Sequence, residues 1–183
     1  MRLFIAVPLA DSVVTELGRL TGRLRSRAAE LRWPTPESWH VTLQFLGNAS
    51  EEQYGCLIGR LAEVRGRLVP VQLGEPGIFE RAGVFYAGVE LSPQLIALQQ
   101  RVAAATAPCG FEPETRPFRP HITLARSKGR SGGRELRGLM AGLPAKIRFS
   151  RFTAAEFLLY ESHLSSAGAT YEVRQRFSLA GAE

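Results

Sequence analysis

The sequence predicts an α+β fold built on antiparallel sheets, and three observations lead there. Strand-like and helix-like segments alternate along 183 residues. Several strands have hairpin-like neighbours. No glycine-rich turn joins a strand to a helix, as a doubly wound parallel sheet would need. The length suits one domain over residues 1–183, or two small lobes sharing a core. Apolar residues make up 45% and charged residues 22%, near the globular average, which excludes a disordered or collagenous chain.

Each element has its own signal. Residues 2–7 are an apolar strand. Asp11 is placed to cap a helix in which Val14, Leu17, Leu20, Leu24 and Leu31 recur at helical steps. Arg32-Trp33-Pro34-Thr35-Pro36-Glu37 is a stiff connector, since each proline fixes its own φ and restrains the residue before it. Trp39 to Leu46 is strand-like and Gly47-Asn48 ends it. Ser50 with Gln53 makes a capping box for a helix whose stripe is Tyr54, Leu57, Ile58, Leu61 and Val64. Val71–Phe79 and Val84–Leu91 read as strands joined by a turn near Arg81-Ala82-Gly83. Ser92-Pro93 starts a helix through Leu95, Leu98, Val102 and Ala105. Phe118–Arg126 is the next strand, and a basic loop follows it, Ser127-Lys128-Gly129-Arg130-Ser131-Gly132-Gly133. A helix near Glu135–Leu143 and strands over 147–160 and 170–179 complete the chain.

Twenty-three basic residues, 21 of them arginine, stand against 17 acids and give a net charge of +6. A basic surface suits polyanions, and the arginine fork suits phosphate. No apolar run approaches the roughly 18 residues of a membrane span. The opening apolar run is short of a signal-peptide core, so a cytoplasmic protein is expected. Cys56 and Cys109 lie 53 residues apart without C-x-x-C spacing, and the expectation is two small apolar fillers in a reducing compartment rather than a disulfide. Neither G-x-x-x-x-G-K-[ST] nor G-x-G-x-x-G occurs, so no nucleotide-cradling loop and no cofactor are expected.

The decisive signal is a repeated tetrapeptide. His40-Val41-Thr42-Leu43 and His121-Ile122-Thr123-Leu124 differ by one β-branched swap, and both lie in predicted strands. The chain has three histidines and nine threonines, so by composition a histidine has threonine two places on about one time in twenty. In a strand His40 and Thr42 share one face while Val41 and Leu43 take the other, and likewise for His121 and Thr123. Two sheet-plus-helix lobes with their polar faces opposed gather two imidazoles and two hydroxyls around one cleft.

Two imidazoles across a phosphate can divide the labour. The neutral one takes a proton from attacking water, and the protonated one gives a proton to the leaving oxygen. The threonine hydroxyls donate to non-bridging oxygens as charge develops there. No metal is expected, because only His163 remains as a third nitrogen ligand, with no H-x-H and no His–carboxylate spacing.

At these residues the chain resembles the two-histidine phosphoesterase superfamily, and within it the RNA 2′,3′-cyclic phosphodiesterases historically called 2′-5′ RNA ligases. The resemblance runs through Arg2-Leu3-Phe4-Ile5-Ala6, Arg32-Trp33, Trp39 to Gly47, Phe118 to Arg126 and Leu159-Tyr160-Glu161-Ser162. It implies a bilobal fold, with two antiparallel sheets, helices outside and pseudo-twofold symmetry around a central cleft. It also implies metal-free opening of a 2′,3′-cyclic phosphate to a 2′-phosphomonoester. His40 is then the proton donor to the leaving 3′-oxygen and His121 the base, with Thr42 and Thr123 on the phosphate. Arg126 matches a phosphate-binding arginine of the family, although strict alternation puts it opposite His121 unless a bulge re-aims it. The same alternation sends Phe45 to the apolar face, toward core packing rather than base stacking. Trp33 and Trp39 are expected in connector packing, Lys128 and Arg130 in a solvated loop, and His163 in a turn without a role.

RNA ends or small cyclic-phosphate nucleotides are the expected partners of a monomer. Two other activities compete: joining RNA halves through a 2′-5′ linkage at the same site, and RNA binding without turnover. The latter lacks an RRM-like aromatic signature and a dense basic stripe.

Overall fold

Strand β1 (Arg2–Pro8) is apolar along nearly its whole length because both its faces are covered. Leu3, Ile5 and Val7 enter the main core, whereas Phe4 and Ala6 enter a smaller cluster with Leu158 and Tyr160 on the opposite face. A computed structural model describes residues 1–128, 132–144, 146–166 and 168–179; Arg130 of the basic loop lies outside them.

The chain continues through α1 (Asp11–Arg25), β2 (His40–Asn48), α2 (Glu51–Ala62), β3 (Val69–Val71), β4 (Leu73–Phe79) and β5 (Val84–Val89). Then come α3 (Pro93–Thr106), β6 (His121–Arg126), α4 (Gly132–Ala141), β7 (Phe152–Ala154), β8 (Glu156–Ser165) and β9 (Gly168–Ser178). Among the described residues all the strand pairings are antiparallel. One sheet has the order β2-β1-β8-β9 and a second the order β4-β5-β6, with β3 and β7 forming a short separate ladder. The fold is thus α+β and bilobal, helices outside, as expected.

Both H-x-T strands are sheet edges, β2 in the first sheet and β6 in the second, and they approach each other in the middle of the molecule. The Pro-rich connector pins the free edge of β6: Arg32 and Arg126 exchange backbone hydrogen bonds, each 2.8 Å. Leu57 and Leu61 of α2 and Leu95, Leu98 and Val102 of α3 pack into the same core as Val41, Leu43, Ile122 and Leu124. The helices therefore cover the face away from both histidines.

The capping box is present, with Gln53 N–H donating to Ser50 Oγ at 3.2 Å and Ser50 N–H to Gln53 Oε1 at 3.0 Å. Ser92 Oγ likewise accepts from Leu95 N–H. Ala10, not Asp11, is the N-cap of α1; Asp11 sits in its first turn, where its charge suits the helix dipole. The buried stripe of α1 is Val13, Leu17, Thr21 and Leu24, with Val14 at its margin. β6 starts at His121 rather than Phe118, since Pro120 has no N–H for a ladder. The expected strand over 147–160 is instead β7 and a longer β8 that carries His163 within a hairpin with β9. This ribbon runs beyond the core, so polar residues occupy it and mimic a turn in sequence.

One expectation fails outright. Cys56 of α2 and Cys109, in the short turn of helix after α3, form a disulfide with Cα atoms 5.7 Å apart. They are not free fillers. Spacing along the chain carries no information on this, because the pairing depends on α2 lying against α3. Among the described residues no helix is long and apolar enough to cross a membrane.

Candidate active site

The two repeats fold alike in a detail that simple alternation misses. In β2 and β6 the first six residues show the same burial: half-buried, buried, half-buried, buried, buried, exposed. The consecutive buried residues mark a β-bulge. Against β1 the register steps from Thr42 opposite Ala6 to Gln44 opposite Ile5, leaving Leu43 as the extra residue. Against β5 it steps from Thr123 opposite Tyr86 to Ala125 opposite Phe85, leaving Leu124 extra. A bulge reverses the alternation beyond it. His40, Thr42 and Phe45 therefore share one face of β2, and His121, Thr123 and Arg126 share one face of β6.

This settles the orientation of Arg126 and corrects that of Phe45. Arg126 is exposed on the histidine side. Phe45 is 61% exposed, its ring 6.0 Å from that of Phe4 in the cleft-face cluster, and is not a core residue. Gln44 is buried in its place and accepts a hydrogen bond from Thr106 Oγ1 at 2.8 Å.

Each imidazole stands against an aromatic pair. Phe4 and Tyr160, cross-strand partners, stack 4.9 Å apart, and His40 lies 4.7 Å from Phe4 and 5.8 Å from Tyr160, with Tyr171 edge-on at 5.3 Å. In the other lobe Phe79 and Tyr86 stack at 4.2 Å, and His121 meets them at 4.9 and 5.5 Å. Tyr86 crosses its neighbouring strand over Gly77, where any Cβ would collide with the phenol ring. These aromatic residues were invisible as site residues in the sequence, where strands apolar on both faces look like ordinary buried strands.

The electrostatics follow from that packing. Burial pushes His40 down to about 4; a hydrogen bond to the Ser38 backbone opposes this, and the nearby charges of His121 and Arg126 add to it. Burial also lowers His121, against a hydrogen bond to the Arg119 backbone, with Arg126 and Arg119 contributing in the same direction as burial. Arg126 thus lies near enough to depress both imidazoles. The Nδ1 of His121 lies 2.8 Å from the Arg119 carbonyl. A carbonyl only accepts, so Nδ1 carries the proton and the neutral ring keeps its lone pair on Nε2. The Thr42 and Thr123 hydroxyls are half-buried and make no hydrogen bond among the described residues. Burial raises the Tyr160 phenol to about 12, so it stays protonated beside His40.

The remaining candidates lie elsewhere. Trp33 Nε1 donates to the Ala28 carbonyl at 2.9 Å and Trp39 is buried, both in connector packing. Lys128 is exposed. His163 sits on the ribbon, its Nε2 3.2 Å from a Glu172 carboxylate oxygen, and Glu161 completes a group of possible metal ligands within 4.8 Å. Arg174 pairs there with both Glu161 and Glu172, offsetting one of their two negative charges.

The profile of the 2'-5' RNA ligase superfamily matches residues 9–163. Over 184 residues the chain is 31% identical to an RNA 2',3'-cyclic phosphodiesterase of Geobacillus stearothermophilus, covering 98% of this chain and spanning 57% of that longer relative. Over 185 residues it is 28% identical to an RNA 2',3'-cyclic phosphodiesterase of Bacillus subtilis, covering 96% of this chain and 95% of the relative. Among solved structures, E. coli LigT complexed with 3'-AMP superposes with a TM-score of 0.76, covering 98% of each chain at 24% identity, a likeness of fold alone. The matched H-x-T repeats, their shared bulges and a profile covering most of the sequence lead to one assignment: the chain belongs to the 2'-5' RNA ligase superfamily.

Proposed function

We propose that this chain hydrolyses 2′,3′-cyclic phosphate ends of RNA to 2′-phosphomonoesters by general acid–base catalysis between His40 and His121. The observation that carries the reading is the convergence of two imidazoles and one guanidinium, with a threonine hydroxyl, unpaired among the described residues, on the same strand face as each imidazole. The relatives' activity as RNA 2',3'-cyclic phosphodiesterases supports it.

In this reading His121 is the base. Its Nε2 lone pair takes a proton from water as the water oxygen bonds to phosphorus. The bond from phosphorus to the ribose 3′-oxygen breaks, His40 gives that oxygen its proton, and the phosphate stays on the 2′-oxygen. Proton exchange with solvent then restores both rings. Thr42, Thr123 and Arg126 donate to the non-bridging oxygens, where charge accumulates. His40 is held neutral in the free protein, so it takes up its proton with the substrate: an anionic phosphodiester beside it favours the imidazolium. Two imidazoles supply both proton transfers, so the chemistry asks for no metal. One chain supplies both imidazoles, so a monomer with one bilobal domain suffices.

The test is incubation, in EDTA, with an oligoribonucleotide ending in a 2′,3′-cyclic phosphate, followed by identification of the product. A 2′-phosphate product, with turnover reduced at least about 10²-fold in both His40→Ala and His121→Ala, is expected. Binding of the oligonucleotide without turnover, on this end and on cyclic mononucleotides, overturns the reading in favour of a binding module.

A further inference from the structure

An open groove of about 620 Å³ runs between the C-terminal end of α2 and the outer side of α3. Arg60, Arg65, Arg67 and Arg101 line it, with Glu63 as its one carboxylate among the described residues. The groove shares no residue with the cleft, and its walls belong to the helical layer on the face away from both histidines.

Its arginines are partly fixed in place. Arg101 Nη1 donates to the Arg65 carbonyl at 2.9 Å and lies beside Gly66. Arg65 Nη1 donates to the Ala62 carbonyl. Each bond uses one N–H of the fork and leaves the others free. Arg60 reaches Glu63 only at 3.8 Å and with both side chains exposed, and Arg67 pairs with no carboxylate among the described residues. Among the described residues, four guanidiniums against one carboxylate leave an excess of three positive charges in the groove. Concavity concentrates that field, and oriented guanidiniums suit phosphate oxygens. The Cys56–Cys109 bond ties α2 to the turn that follows α3.

We propose that this groove is a second anion site, binding the phosphate backbone of RNA upstream of the end held in the cleft. The proposal rests on the reading of the substrate as RNA. A chain of this length has a radius of gyration of about 16 Å and is about 40 Å across. The path round the surface from the cleft to the opposite face is about 60 Å, which at about 3.4 Å of rise per nucleotide takes about 18 nucleotides. A cyclic mononucleotide never reaches the groove, and an oligonucleotide of about 20 does.

The experiment compares the intact protein with Arg60→Glu/Arg67→Glu, whose two side chains donate to no backbone carbonyl among the described residues, and with a charge-matched control on α1, Arg19→Glu/Arg23→Glu. Turnover is measured on a cyclic mononucleotide and on a 20-nucleotide RNA with a cyclic end, across a salt series. The groove variant is expected to raise KM roughly tenfold on the long substrate alone. It is also expected to flatten the salt dependence by about 0.7 for each phosphate that the groove no longer neutralises. The control moves both less. Equal effects on both substrates, equal effects of the two variants, or no effect overturns the proposal. If the protein turns over neither substrate, the enzymatic reading has failed. Anisotropy with a labelled 3′-hydroxyl 20-mer then decides about the groove: weaker binding in the groove variant alone upholds it, and equal binding overturns it.

Discussion

Holding an imidazole neutral inside an aromatic pocket makes the fold sensitive to acid, and the size of the effect follows from the packing of His40. Its pKa drops from the ordinary 6.5 to about 4 because Phe4, Tyr160 and Tyr171 displace water from it. At about 1.4 kcal/mol per unit, that difference amounts to about 3 kcal/mol when fully developed. Between the two values the unfolded chain binds a proton that the folded chain refuses. Stability is therefore complete above pH 6.5 and is lost as pH falls toward 4. His121 is lowered as well and acts in the same direction. His40→Gln removes one of the two titrations and leaves the other. Urea unfolding of both proteins at pH 7 and pH 4.5 isolates it, since any packing defect of the variant enters at both pH values and cancels. The intact protein is expected to lose about 2 kcal/mol more than the variant between these pH values. Parallel losses, or a gain in stability toward pH 4.5, would refute the argument that burial holds His40 neutral.

Other residues yield sharper tests. Arg126→Ala is expected to reduce kcat/KM by roughly 10²-fold while changing stability by less than about 0.5 kcal/mol, because the side chain is exposed and faces the cleft. Imidazole resonances should show both histidines titrating at higher pH in that variant, since the arginine charge depresses both. Phe45→Ala should leave the melting temperature in place, as befits a ring that is 61% exposed. If the ring stacks on a base, it should also weaken binding of a base-bearing substrate by about 1–3 kcal/mol, read as KM. Gly77→Ala drives a methyl into Tyr86 and should cost about 1–3 kcal/mol in thermal unfolding, with loss of turnover as the ring beside His121 shifts. Cys109→Ser opens a ring spanning 53 residues and should lower stability by up to about 4 kcal/mol, and a reductant should produce the same loss in the intact protein.

The sequence is legible where local rules suffice. The H-x-T pairs share a face because two residues before a bulge obey ordinary alternation, and the capping box at Ser50 and Gln53 is a strictly local device. It is not legible where a partner strand decides. Nothing in Thr42-Leu43-Gln44-Phe45 announces a bulge: no glycine marks it, and no residue other than glycine has positive φ among the described residues. Only the parallel between His40 with Phe45 and His121 with Arg126, each five residues on, hints that both positions are set alike. The aromatic pairs were hidden for a similar reason. Phe4 and Tyr160 meet through the pairing of β1 with β8, more than 150 residues apart in sequence. The disulfide likewise depends on two helices meeting, which spacing does not encode.

The two bulges also give the cleft a direction. A frame with twofold pseudo-symmetry presents the same pair of groups to a ligand in either of two opposite poses, and nothing in the H-x-T pairs distinguishes them. The residue expelled onto the cleft face three places after each threonine does distinguish them, being phenylalanine in one strand and arginine in the other. One rim is apolar and uncharged; the other is cationic. A ligand that is flat at one end and anionic at the other gains at both rims in one pose and at neither in the reverse. Two side chains at equivalent positions thus break the degeneracy of a duplicated frame, and under the proposed reaction each histidine would meet its own end of the ligand.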